Sequence, residues 1–340
     1  MISTNKLQQI KSKAEEVRFS GALLAYKDDI LLQYAFGYSN RSESVSNNLN
    51  TRFGIASGCK LFTAIAIGQL VDEGKINFNT RLKDCLDIAF PLFDEDITLH
   101  HLLTHTSGIP DYFDEATMDD FADLWKATPM YSLTTLHSFL SLFQNREMMF
   151  KPGDKFHYNN AAFIILGLVV EQQSGMNFTQ YIEENIFKPC GMVDSGYFSL
   201  DQLPGNTALG YIDDEETGNW KTNIYSIPIK GGADGGAFIT VADMVKLWDH
   251  LMDAKLLSED NTRALLTPHV QEEDEEYYGY GIWITKSGEE IYKYHVMGYD
   301  PGVSFHSGYY PKSGIKLVVT SNKETGAYPI TAELESLLVD

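Results

Sequence analysis

The chain has 340 residues, 44% apolar and 12% aromatic, enough to bury a large core as one domain or two interleaved ones. Its 26 basic and 47 acidic residues leave a net charge of −21, which repels nucleic-acid phosphates and anionic membrane surfaces, so neither is an expected partner. Residues 1–10 lack the features of a secretory leader, no apolar stretch is long enough to span a bilayer, and Cys59, Cys85 and Cys190 lack metal-ligand spacing, so a cytoplasmic protein with reduced thiols is expected.

Residues 3–17 are polar and rich in helix formers, and the spacing predicts a helix there. Residues 21–26 and 30–36, separated by Lys27-Asp28-Asp29, predict a β-hairpin. The Ala-rich apolar segment 61–71 reads as a helix, as do 161–173 and 178–186, so the middle of the chain is helix-dominated. Thr240 is placed to cap a helix in a Thr-x-x-Asp box with Asp243, and 244–252 continues it amphipathically. The acidic run 272–276 reads as a solvated loop. Residues 278–285, 291–295, 303–310 and 315–321 are β-rich runs separated by turn residues, and 330–339 closes the chain as a helix. This order predicts an α+β fold with one antiparallel sheet built from both ends of the chain.

A serine hydroxyl is a weak nucleophile at neutral pH and needs a base within hydrogen-bond reach. Ser-x-x-Lys on a helix supplies one, because it puts an amine one turn from the hydroxyl on the same face. The pattern occurs at Ser3 to Lys6, Ser57 to Lys60 and Ser313 to Lys316. Ser3 lies in the polar terminal helix, and Ser313-Gly314 is a turn between strands. Only Ser57 stands where a strand-like run, residues 52–56, meets a buried-looking helix. There Lys60 is partly removed from water, as a base requires, and the Ser57 N–H at a helix N-terminus is placed to help hold an oxyanion. Taken alone, Ser57 reads also as a helix cap.

Tyr-x-Asn adds a phenol able to share the serine's proton and an amide able to orient a substrate. Tyr38-Ser39-Asn40 ends the N-terminal hairpin, whereas Tyr158-Asn159-Asn160 follows the turn Lys151-Pro152-Gly153-Asp154 and precedes an apolar helix. The second is thus the better placed to project from a loop into a cleft.

Ile55-Ala56-Ser57-Gly58-Cys59-Lys60, the stretch from His101 to Pro110 (HLLTHTSGIP) and the stretch from Lys151 to Asn160 (KPGDKFHYNN) together resemble the serine β-lactamase-related family, which includes class C β-lactamases, D-alanyl carboxypeptidases, D-aminopeptidases and related esterases. The resemblance continues through 188–192, 231–236 and Ser321-Asn322, nearly the whole chain in the family's order. It implies a β-lactamase/transpeptidase-like fold: an antiparallel sheet flanked by N- and C-terminal helices, with an inserted all-helical domain. Residues 1–56 and 226–340 would form the sheet domain and 57–225 the helix-rich one, with the active-site cleft between them. It implies that Ser57 attacks an acyl carbonyl, that Lys60 and Tyr158 accept and relay its proton, that Asn160 hydrogen-bonds the substrate amide, and that water releases the acyl-enzyme. Which of Lys60 and Tyr158 is the base stays open. No cofactor and no metal are implied, and the partner is a small-molecule ester, amide or β-lactam.

The family's third element is a sheet-edge Lys-Thr-Gly or His-x-Gly, whose cation meets a substrate carboxylate. Here it falls on the stretch from Tyr294 to Ser304, but His295 lies three residues before Gly298 instead of two. Side chains alternate across a strand, so His295 points into the site only if a bulge absorbs the extra residue; otherwise Val296 takes the cation's place. Gly298 and the backbone donor of Tyr299 remain. Without the cation, carboxylate-bearing β-lactams and peptide C-termini bind less well, while ester or small-amide hydrolysis stays open.

His101 and His105 are spaced i, i+4 without a glutamate between them and are expected to pack or to brace a loop. The glycines of 231–236 match no dinucleotide or phosphate-loop pattern and read as a tight backbone passage near the cleft. Cys59 is expected to be buried on the far side of its helix, the alternative being a reactive thiol. No Gly-x-Ser-x-Gly occurs, which argues against the α/β-hydrolase elbow. Two functional classes follow: an acyl-serine hydrolase, and a catalytically silent binding or sensing protein on the same scaffold.

Overall fold

The computed structural model describes residues 4–118 and 121–339. Its centre is an eight-stranded antiparallel sheet assembled from the two ends of the chain. Strands β1 (Gly21–Tyr26) and β2 (Ile30–Phe36) form the N-terminal hairpin. The C-terminal part supplies β3 (Val270–Gln271), β4 (Glu276–Tyr278), β5 (Trp283–Ser287), β6 (Glu290–Asp300), β7 (Val303–Tyr310) and β8 (Ile315–Ser321). The spatial order is β2-β1-β8-β7-β6-β5-β4-β3, so the first strand of the chain pairs with the last.

Both faces of this sheet are covered, which explains why β1 is a continuous apolar run: Leu23 and Ala25 face one core, Ala22 and Leu24 the other. Helices α1 (Thr4–Glu16) and α5 (Ala327–Leu338) cover the first face, where Ile10, Ala14, Ile330 and Leu334 join Leu317 and Val319. The second face carries α2 (Lys60–Asp72) and α4 (Val241–Met252), beside which α3 (Asn160–Ser174) packs on α2. Helix α2 has no polar side. Leu61, Phe62, Ile65, Ile67 and Leu70 are all fully buried, as in a helix surrounded by protein. On α4, Trp248 Nε1 donates to Ser307 Oγ of β7 at 2.8 Å, and the Thr240 side chain accepts from Asp243 N at 3.2 Å, the cap its spacing predicts. Helix α3 is capped by Asn159, which accepts from Ala162 N at 2.8 Å, and ends at Gly175 in the left-handed region.

Four local expectations change. Residues 278–285 are not one strand, because the chain reverses between β4 and β5 through Gly279 and Gly281, the latter at φ +67°. Residues 291–295 are the middle of the 11-residue β6, which runs on to Asp300. The acidic run is not wholly solvated: Glu276 opens β4 and accepts from Thr285 Oγ1 at 2.6 Å. The segment 178–186 is α-helical to Ile182 and then widens into a π turn over Glu183–Phe187. Among the described residues no helix is long and apolar enough to cross a membrane.

Candidate active site

Ser57 lies where the short strand Phe53–Gly54, paired with Phe238–Ile239, runs into α2 through a 3-10 turn at Ala56–Cys59. Ala56 adopts φ +45°, a left-handed conformation that costs a residue with a Cβ about 1–2 kcal/mol, and this turn presents Ser57 at the start of the helical segment. Backbone N–H groups there have no partner within the helix.

Lys60 is 1% exposed, and its Nζ contacts three oxygens: Ser57 Oγ at 2.9 Å, Asn160 Oδ1 at 2.8 Å and the Asp234 carbonyl at 2.8 Å. The last two can only accept, so in a neutral amine two N–H bonds are fixed on them and the lone pair faces Ser57. The Asn160 amide is oriented in turn by its Nδ2, which donates to Phe113 O at 3.2 Å and to Asp111 Oδ2 and Glu115 Oε1 at 3.3 Å. In the unliganded site its oxygen is therefore committed to Lys60, which the sequence reading, assigning Asn160 to the substrate, did not foresee.

Tyr158 completes the cluster, with its ring 4.8 Å from Lys60 Nζ. The loop that carries it is braced by His105, which accepts from Asn159 N through Nδ1 at 3.1 Å, accepts from His157 N through its carbonyl at 2.8 Å, and packs its ring 4.4 Å from Tyr158. His101 Nδ1 likewise accepts from Thr98 N at the start of its own helix. Desolvation pushes the Tyr158 phenol well above the ordinary tyrosine range and the Ser57 hydroxyl beside it tempers the rise, so Tyr158 is protonated at neutral pH.

Four carboxyl groups that the sequence reading missed border the site. Asp111 is buried and accepts from Asn160 N at 2.6 Å and Ala161 N at 2.9 Å, which ties the start of α3 in place; burial pushes its carboxyl up to about 7. It follows directly on the motif ending at Pro110, the one signal that could have flagged it. Asp234, raised by burial, accepts from the Tyr112 hydroxyl. Asp300 is pushed up to about 8, by desolvation first and by Asp234 second, and Glu115 lies across the cleft. The Gly231–Gly236 ribbon runs between these groups and the nucleophile turn: a Cβ on Gly235 would lie 3.6 Å from the Ala56 carbonyl carbon. Cys59 is fully buried, with Sγ 3.3 Å from Ala56 O, and burial raises its thiol to about 12, so it is inert.

The third element resolves in favour of Val296. Strands β6 and β7 pair without a register shift from Tyr294↔Tyr309 to Asp300↔Val303, so no bulge turns His295 inward. His295 lies instead on the α5 face of the sheet, 5% exposed, with Nε2 3.3 Å from Glu276 Oε2 and its ring stacked 5.2 Å from His306. Val296 and Gly298 face the nucleophile turn, and a Cβ on Gly298 would lie 2.8 Å from Ser57 N. Pairing of β6 with β5 stops at Trp283↔His295, which leaves the edge of β6 beyond it open to the cleft. The turn Pro301-Gly302 closes on Asp300↔Val303, and the alternation of an antiparallel ladder then aims the Tyr299 N–H at that edge, beside the Ser57 N–H.

The His295–His306 stack has a measurable consequence. Burial holds His306 well below the ordinary imidazole range, with His295 and Lys293 adding to the effect, whereas the unfolded chain takes up that proton below about pH 6.5. The stability conferred by the neutral native ring is thus present above pH 6.5 and is lost on acidification, at about 1.4 kcal/mol per pH unit while the ring stays neutral. His306→Phe removes this contribution, so the urea midpoint should fall less between pH 7.5 and pH 5 in the variant than in the wild type. Equal slopes would show that His306 protonates without unfolding.

A family model described as Beta-lactamase matches residues 8–338. Penicillin-binding protein 4* of Bacillus subtilis (strain 168) is 27% identical over 328 residues, covering 91% of this chain and 69% of that protein. The crystal structure of a penicillin binding protein from Bacillus halodurans superposes with a TM-score of 0.93 at 56% identity, covering 97% of this chain and 100% of that one. An octameric penicillin-binding protein homologue from Pyrococcus abyssi superposes with a TM-score of 0.87 at 27% identity, covering 100% of this chain and 78% of that one.

Proposed function

Because this chain belongs to the β-lactamase family, we propose that it is a serine hydrolase that forms an acyl-enzyme on Ser57 and cleaves an ester or amide. The observation that carries the reading is the 2.9 Å contact from Lys60 Nζ to Ser57 Oγ, with the other two amine positions fixed by acceptors. Lys60 takes the proton as Ser57 Oγ bonds to the acyl carbon, and the N–H groups of Ser57 and Tyr299 hold the carbonyl oxygen as it becomes an anion. Tyr158, a phenol at rest, gives its proton to the leaving alcohol or amine and regains one from Lys60. Water then attacks the ester on Ser57, losing its proton to the same pair, and free acid leaves. Asn160 serves first to position Lys60, and its Nδ2 meets a substrate carbonyl only by giving up one of its contacts to Phe113 O, Asp111 Oδ2 and Glu115 Oε1. On this reading residues 1–56 with 226–340 form the unit on one side of the cleft and 57–225 the other.

The relatives named above are penicillin-binding proteins, and a β-lactam is one substrate that the cluster of Ser57, Lys60 and Tyr158 suits chemically. Val296 in the cation's position favours neutral esters and amides over carboxylate-bearing β-lactams. The same observation supports the second reading, a binding or sensing protein that acylates without turnover.

Incubation with a chromogenic short-chain ester and, separately, a chromogenic cephalosporin tests both readings, if product and intact mass are followed together. Product over many turnovers, with a transient acyl adduct mapped to the peptide bearing Ser57, is the expected result for the ester. A stable adduct without product would favour the binding protein, and an adduct on any residue other than Ser57 would overturn the assignment.

A further inference from the structure

We propose that the acyl group of the substrate is uncharged and apolar, and that it is housed in the cavity behind Gly231 and Gly236, entered from Ser57 past Asp300. This rests on the acyl-serine reading and names the substrate class for the same site.

The cavity has a volume of about 230 Å³ and an apolar lining that includes Phe198, Leu200, Leu209, Ile224 and Val303. It adjoins the cleft that contains Ser57 and Asn160, with Ile227, Pro228, Gly231, Gly236 and Asp300 bordering both. Ala56, next to the nucleophile, is part of its wall. The two glycines keep the wall between cavity and cleft thin: a Cβ on Gly231 would lie 2.4 Å from the Gly236 carbonyl carbon. An apolar chamber beside a nucleophile suits a small organic side group, since each buried methylene gains free energy on leaving water.

The direction of the cut places the acyl part there. Tyr158 returns a proton to the leaving group, so that group must depart on the Tyr158 side, where Phe156, Trp283 and Met297 line a separate opening. The acyl part then extends the opposite way, past Asn160 and Asp300.

Charge selects the same occupant. Among the described residues no cation lines the cavity, and the three contacts of Lys60 are already made. Lys230 borders the outer cleft, but Glu115, Asp234 and Asp300 border it too, and the residue two before Gly298 on β6 is Val296 and not a cation. An anionic acyl group entering the cavity would lose its hydration with no partner charge there. Asp300 at the mouth offers a protonated carboxyl to a neutral acceptor at neutral pH.

The test is the acyl-length dependence of p-nitrophenyl ester hydrolysis, from acetate through butyrate to hexanoate. In the wild type kcat/KM should rise about fourfold per methylene, on the order of 10²-fold from acetate to hexanoate, and the hydrogen succinate ester should be a poorer substrate than butyrate. In Ile224→Trp and Leu209→Trp, each verified by its thermal unfolding transition, the hexanoate-to-acetate ratio should collapse toward one. A flat series in the wild type, or an undiminished ratio in both filled variants, overturns the proposal.

A readout without chemistry separates this from failure of the hydrolase reading. Calorimetric titration of Ser57→Ala with acetamide and hexanamide should show the same preference for the longer chain, with a negative heat-capacity change that Ile224→Trp removes. If no ester is cleaved by the wild type, the hydrolase reading falls, and the titration alone decides the cavity: chain-length preference lost on filling upholds it, and equal binding of the two amides refutes it.

Discussion

Lys60→Met is expected to lower kcat/KM for any ester or amide that the protein cleaves by about 10³-fold or more, because it removes the amine in contact with Ser57 Oγ. Lys60→Arg should do no better, since a guanidinium has no lone pair to take the serine proton. Ser57→Ala should cost as much, and the double variant Ser57→Ala, Lys60→Met should cost little beyond either single one, because groups that act as a unit are lost together. The methionine variant should also unfold more easily. Asn160 Oδ1 and the Asp234 carbonyl lose their donor in a buried place, at about 1–3 kcal/mol for each group left unsatisfied. Ester hydrolysis rates and urea unfolding curves check the two effects separately. A methionine variant with wild-type turnover would move the base to Tyr158.

The second large effect is predicted at Gly298. A methyl group there would lie 2.1 Å from Ile55 O, 2.8 Å from Ser57 N and 2.9 Å from Gly58 N, all of them backbone atoms that no rotamer change can move. Gly298→Ala must therefore push β6 away from the nucleophile turn, with a loss of about 3 kcal/mol of stability and of the paired N–H groups of Ser57 and Tyr299. Losing one such donor costs about 10²–10³-fold in kcat. Gly235→Ala is the contrasting case, because its nearest contact would be an ordinary 3.6 Å from Ala56. It should keep near-wild-type stability. If both alanine variants unfold at the wild-type midpoint and retain activity, β6 does not bear on Ser57 as described.

The parts of this site that were legible in the sequence are those whose chemistry sits within one turn or one loop. Ser57 and Lys60 are neighbours on a helix, and Tyr158 stands on a loop whose turn residues announce it. The carboxyl groups were not legible, because Asp111, Asp234 and Asp300 come from three distant segments and meet only when the sheet forms. His295 was left ambiguous for a different reason: spacing alone cannot tell a bulged strand from a regular one, and the regular pairing of β6 with β7 decided it. The break between β4 and β5 was visible in Gly279 and Gly281, but the β-branched and aromatic residues around them read as one continuous strand. The order of large elements was legible throughout, since both-face burial gives apolar strands and α2 is apolar all round.

Pairing of the first strand with the last has a consequence for how the protein comes into being. During synthesis the nucleophile turn and α2 emerge early, but β1 has no neighbour on its inner edge until β8 is made, and β6 gains β7 only shortly before. Contacts of such long sequence separation form late and slowly. A nascent chain therefore carries Ser57 and Lys60 without the strand edge that would hold a substrate against them. On the proposed reading, reactivity arrives only once β8 has been made, and a chain cut short before residue 315, though it retains every residue assigned to the chemistry, would lack the strand that joins the two ends of the sheet.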